Sequence, residues 1–220
     1  MNYLERNYDI VKERMIQQME NSIVLGRKLI DTALDTGLLN FIIKPLVKIF
    51  YDNWAQNDVR DNTLKQINLT LDTGIELLKN GATDDNFDRV VNESLPKYIE
   101  ADQTSLQCSK KHKNYDRIIK VAKDTFINYL KEVVKFLDVK EDVEDYGDLC
   151  RIAFNTKEVA EQNLMKQLEF TERGIKIVEE DLNILKLPIG RKIIVKALRR
   201  GFERTKAEFI KSLNETYNQK

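Results

Sequence analysis

The chain has 220 residues, enough for one large domain or two small ones around a sizeable core. Its 36 basic and 36 acidic residues cancel, which excludes attraction to polyanions by overall charge and leaves only local asymmetry to act. With 8 Gly and 3 Pro there are too few turn signals for a sheet-rich fold. A charged fraction of 33% with apolar residues at helical spacing predicts an all-α protein instead. We expect an antiparallel bundle of long helices, one domain over 1–220, ending in a long C-terminal helical hairpin. Cys108 and Cys150 have no paired spacing, so neither a disulfide framework nor a zinc site is expected. The N-terminus is polar and contains an acid at Glu5, unlike a signal peptide, and cytoplasmic residence is the expectation.

The first predicted helix covers 3–35, with Ile16, Met19, Ile23, Gly26 and Ile30 on one face. Gly26 inside that stripe suggests a close approach by a neighbouring backbone, and Thr36-Gly37 reads as the stop. Residues 38–51 form the most apolar run, interrupted by Asn40, Lys44, Pro45 and Lys48. It is too short to span a bilayer, which takes about 20 residues. One reading is a core helix starting afresh at Pro45; the other is a segment lining an apolar ligand cavity, or resting on a membrane surface. Trp54 follows as half-buried packing.

A helix over 58–79 is carried by Leu64, Ile67, Leu71, Ile75 and Leu78, with Asn80-Gly81 ending it. Asp84-Asp85-Asn86-Phe87-Asp88 has the DDxxD spacing by which terpene-type synthases hold magnesium, but no second metal-binding motif accompanies it. Those acids read as an N-cap and first turn, favoured by the helix dipole. Phe87 to Leu95 predicts a short helix stopped or kinked at Pro96. A long helix over 114–137 presents Tyr115, Ile118, Ile119, Ala122, Phe126, Tyr129, Leu130, Val133 and Leu137 on one side. The acidic stretch 138–148 is a solvated connector or helix start. Asn155 and Glu158 have the spacing of a capping box opening the hairpin, whose helices cover 156–186 and 190–217. In that hairpin Leu168, Ile175, Val178, Phe202 and Phe209 are expected in the core.

No constellation for catalysis emerges. His112 is alone among lysines and reads as a solvated surface residue; Glu-x-x-His, GxGxxG and Walker patterns are absent. No metal and no cofactor is expected, and a catalytic role has no residues to carry it. What stands out is charge. At 100° per residue, Lys192, Lys196, Arg199, Arg200 and Arg204 fall with Lys206 and Lys211 in an arc of about −40° to 120°. Lys110, Lys113 and Arg117 belong to a second cluster with Lys111, Lys120 and Lys123. The expectation is a non-enzymatic scaffold or adaptor that docks an acidic protein surface through the exposed basic face of its last helix. Anionic lipid or RNA is the alternative partner, an apolar ligand beneath 38–51 another, and self-association through leftover apolar stripe a further one.

Overall fold

The computed structural model describes residues 2–34, 40–81, 83–105, 111–185 and 189–218, with side chains throughout these except at 33–34, 40–44 and 102–105. Among the described residues the secondary structure is helical and contains no β-strand. The α-helices are α1 (Tyr3–Leu34), α2 (Asn40–Asn53), α3 (Asp61–Asn80), α4 (Asp84–Ser105), α5 (Tyr115–Leu137), α6 (Tyr146–Phe154), α7 (Lys157–Glu180) and α8 (Arg191–Asn218). The all-α expectation holds, and the last two long helices, α7 and α8, pack against each other.

Five long helices follow one another around a ring, α1 to α8 to α7 to α5 to α3 and back to α1, each packed on the next. Polar ties link several neighbours. Arg199 on α8 reaches Glu179 on α7, Arg173 on α7 reaches Asp124 on α5, and Tyr8 on α1 reaches Asp72 on α3. α4 lies outside the ring against α3 and α5, and α6 closes one end against α1, α5, α7 and α8. At that end Asn7, fully buried, donates to the carbonyls of Phe136, Leu137 and Val139 at 3.1, 3.4 and 2.7 Å. Its amide thereby caps the C-terminal end of α5 and the residue just beyond it, where carbonyls lack helical donors. The core there combines Val11, Leu71, Val133, Phe136, Leu149 and Phe154. At the opposite end a second core joins Leu29 and Ile30 of α1, Val47 and Tyr51 of α2, and Ile194 and Val195 of α8.

Two glycines carry geometry at this second end. The Tyr51 hydroxyl donates to the Ile23 carbonyl at 3.0 Å, and a Cβ on Gly26 would sit 2.2 Å from that oxygen. The close approach read from the sequence is therefore made by a side chain, not by a backbone. Gly190 has φ +72°, and a Cβ there would lie 2.9 Å from Val47 Cγ2. It lets the chain turn into α8 while pressed on α2.

Several boundaries differ from expectation. The break before 58 is not one: Trp54–Arg60 forms a π-helical turn joining α2 to α3 without interruption. α2 begins at Asn40, so Pro45 lies inside it and not in its first turn. α4 runs through Pro96 to Ser105, where the exposed turn around Asn92 leaves the freed carbonyl to solvent. Its cap is Thr83, whose hydroxyl accepts from Asn86 N, with Asp84 and Asp85 exposed in the first turn. α7 is capped by Thr156 and not Asn155, which instead takes φ 51° at the end of α6. α7 also stops at Glu180, well short of 186, because Asp181 leaves helical geometry and accepts from Asn183 N at 3.2 Å. The proposed stop at Thr36-Gly37 and the Leu187-Pro188 part of the hairpin connection lie outside the described residues.

Candidate functional site

α8 is long because Arg191 to Asn218 contains no proline and only Gly201 among weak helix formers. Lys192, Lys196, Arg200 and Arg204 recur at steps of four, so they climb one side of it over about 18 Å. All four are exposed, and among the described residues none has a carboxylate within salt-bridge reach. Arg199 is different. It is half-buried, with Nη2 and Nε donating to Glu179 at 2.7 and 3.0 Å and Nη1 lying 3.5 Å from Glu172. That hydrogen bonding holds Glu179 below the usual carboxylate range and raises Arg199 further. Arg199 is thus spent on the α7–α8 contact, a departure from the expectation that the whole basic face lies free.

The second cluster is partly neutralised: two of its members are paired, while Lys111, Lys120 and Lys123 are exposed with no carboxylate in salt-bridge reach among the described residues. Arg117 Nη1 donates to Glu180 at 2.6 Å, and Lys113 Nζ lies 3.3 Å from Asp181. Lys110 lies outside the described residues, as does Cys108. The two basic clusters do not merge: Glu179, Glu180 and Asp181, at the C-terminal end of α7, stand between them and are paired with both. His112 is no free surface residue. Its Nδ1 accepts from Asn114 N at 3.1 Å, its Nε2 lies 3.5 Å from Asp181, and its side chain is 20% exposed. Asn114 Nδ2 donates to the same carboxylate at 3.4 Å. Burial raises the Asp181 carboxyl, but the Asn183 amide and Lys113 outweigh it and hold the group below its ordinary value.

Inside the ring lies a feature that the sequence reading placed elsewhere. A cavity of about 1010 Å³ runs between α1, α3, α5, α7 and α8, with α6 at one end. From α7 it is lined by Leu164, Leu168, Thr171 and Ile175. From α8 it is lined by Leu198, Phe202, Thr205, Phe209 and Leu213. Leu168, Ile175, Phe202 and Phe209 among them are residues expected in the core of the hairpin. Leu168 and Phe202 are buried, at 6% and 7% exposure, whereas Ile175, Val178 and Phe209 are only half-buried. The expectation of a closed seam is corrected for those three: Ile175 and Phe209 border the cavity, and Val178 packs at the edge of the α1–α2–α8 core. The described side chains of 45–51 do not line this cavity; Val47 and Tyr51 belong to that same core, and Lys48 pairs with Asp31 at 2.9 Å.

Polar groups gather in the cavity as well. Glu132, 8% exposed, accepts from Gln167 Nε2 and from the Asn163 side chain. Burial pushes its carboxyl up to about 7, against lowering by Asn163 and Lys135. Burial also drives the Cys150 thiol up to about 12, far from a nucleophilic thiolate at neutral pH. Among the described residues no group of three or more His, Cys, Asp or Glu is placed to hold a metal ion, and no helix is long and apolar enough to cross a membrane. The molecule is a helical ring bundle with a cationic strip outside and a part-polar cavity within. Comparison with known proteins gives no matching family model, no matching curated protein and no matching solved structure.

Proposed function

We propose that this protein is a non-enzymatic, cytoplasmic adaptor that docks an acidic protein surface on the strip Lys192, Lys196, Arg200 and Arg204. The observation that carries the reading is that these four cations share one side of a single long helix, are exposed and lack carboxylate partners among the described residues. Exposed cations keep their charge for a partner because desolvating them inside the bundle costs more than pairing returns. Spacing supports an acidic helix or short acidic segment, whose own carboxylates recur at a matching rise. Zero net charge and the exposed Glu203 and Glu208 nearby weigh against an extended polyanion, so RNA and anionic lipid are the less favoured partners.

The test compares wild type with the triple variant Lys196→Glu, Arg200→Glu, Arg204→Glu. Binding is measured to a synthetic glutamate-rich helical peptide, to single-stranded RNA and to phosphatidylserine vesicles, at low and high salt. Wild type should bind the peptide most tightly and lose it as the Debye length shrinks from about 10 Å at 0.1 M to about 3 Å at 1 M. The variant should not bind it. Equal behaviour of the two proteins towards all three ligands would reduce the strip to a solvated face, and preference for RNA or vesicles would transfer the function to that class.

A further inference from the structure

The cavity is zoned. On its side nearest Leu25, Ile175 and Leu198 the lining carries no charged side chain; the charged lining residues begin at Glu13 and Arg14 on α1 and at Glu132 on α5. From Arg14 to Leu25 the helix rises about 16 Å, the length of an uncharged channel. Two facing helical stripes with regular apolar spacing are left unmet along it, whereas protein interiors are normally close-packed with few voids.

At the inner limit of this channel sits one guanidinium with unused capacity. Arg14 Nε is buried and has no hydrogen-bond partner, and its Nη1 makes only a 3.4 Å contact to Gln17. Among the described residues no carboxylate lies within salt-bridge reach of Arg14. Its guanidinium carbon lies 5.5 Å from the centre of the Tyr146 ring. Tyr146 in turn is near enough to Glu132, Cys150 and Arg14 for all three to act on its hydroxyl. Glu13, Glu132, Glu144 and Asp145 line the same part of the cavity, but none pairs with Arg14, and a buried guanidinium nitrogen without an acceptor can take an anion.

We propose that the cavity binds an elongated amphiphile with a carboxylate head, the head pairing with Arg14 and the tail lying in the uncharged channel towards Leu25, Ile175 and Leu198. One unpartnered guanidinium matches one negative charge, which selects a carboxylate over a phosphate dianion. An amine head is disfavoured, because Glu132 already accepts from Gln167 and Asn163 and is partly protonated at neutral pH. The volume is at the upper end of small-molecule sites, and the lining mixes apolar side chains with polar ones, as suits an amphiphile rather than a pure hydrocarbon.

The experiment is calorimetric titration of the purified full-length chain with dodecanoate, dodecanol and dodecylamine, each below its micelle concentration. The expected order is dodecanoate tightest, at one per chain, then dodecanol, then the amine. Arg14→Gln should weaken dodecanoate about tenfold to hundredfold and leave dodecanol unchanged. Thr205→Trp, which fills the channel, should weaken both. Absence of binding by all three, tightest binding of the amine, or equal loss of acid and alcohol in Arg14→Gln would overturn the proposal. The wild-type ranking decides it even if a variant fails to fold.

Discussion

Glu132 is the residue whose ionisation works against the fold. Its carboxyl titrates near 7 in the folded chain, against about 4.5 when free in the unfolded one. The folded state therefore holds the extra proton between those values, and stability falls as pH rises through that window. A difference of this size corresponds to roughly 3 kcal/mol when fully developed, as an upper bound. Glu132→Gln keeps the shape and removes the titration. Urea denaturation from pH 5 to pH 8 should show wild type losing about 1–3 kcal/mol more than the variant across that range. Parallel curves would mean that Glu132 is solvated and ionised throughout. Among single residues Asn7 was invisible to sequence reading for a related reason. Nothing local marks a polar residue in the second turn of a helix as the cap of another helix's end, 129 residues away.

At the scale of elements, what periodicity controls was legible and what tertiary contacts control was not. The face of α5 was readable in its centre: Ile118, Ala122, Phe126, Leu130, Val133 and Leu137 are buried, because a long amphipathic helix has one way to turn its stripe inward, while Tyr115, Ile119 and Tyr129 at its margins are half-buried. The end of α7 was not. Apolar spacing runs on through Val178, Leu182 and Leu185, while the helix stops at Glu180. The decisive group is Asp181, which gathers Asn183 N, Asn114, Lys113 and His112 from the turn and from the start of α5. Asp181→Ala removes the acceptor and leaves these donors unmatched in a buried place, so it should cost about 1–3 kcal/mol in chemical denaturation. Lys113→Ala, whose side chain is 74% exposed, should cost under about 0.5 kcal/mol. Similar losses in the two variants would show that Asp181 does not hold this corner. Proline gave a second mismatch: Pro45 and Pro96 both sit within helices, and at Pro96 the carbonyl left without its donor belongs to the exposed Asn92, where water can satisfy it.

The whole molecule combines a ring of helices, an interior space and an outer cationic strip. The cavity was not legible because apolar spacing says where side chains point and not whether anything meets them; the hairpin stripes point inward, and Ile175 and Phe209 border open volume. The strip itself was legible, since Lys192, Lys196, Arg200 and Arg204 share a side by spacing alone. What spacing could not reveal is which neighbours neutralise which cations: Arg199 is claimed by Glu179, Lys113 and Arg117 by Asp181 and Glu180. The docking account therefore depends on position and not on total charge. Its most direct test sets two triple reversals of equal net charge side by side, Lys196→Glu with Arg200→Glu and Arg204→Glu, against Lys113→Glu with Arg117→Glu and Lys120→Glu. Affinity for the glutamate-rich helical peptide is measured for both at low ionic strength. The account predicts that the α8 variant loses binding while the α5 variant stays within a few-fold of wild type. Equal loss in both would contradict it, because the attraction would then belong to overall charge and not to the strip.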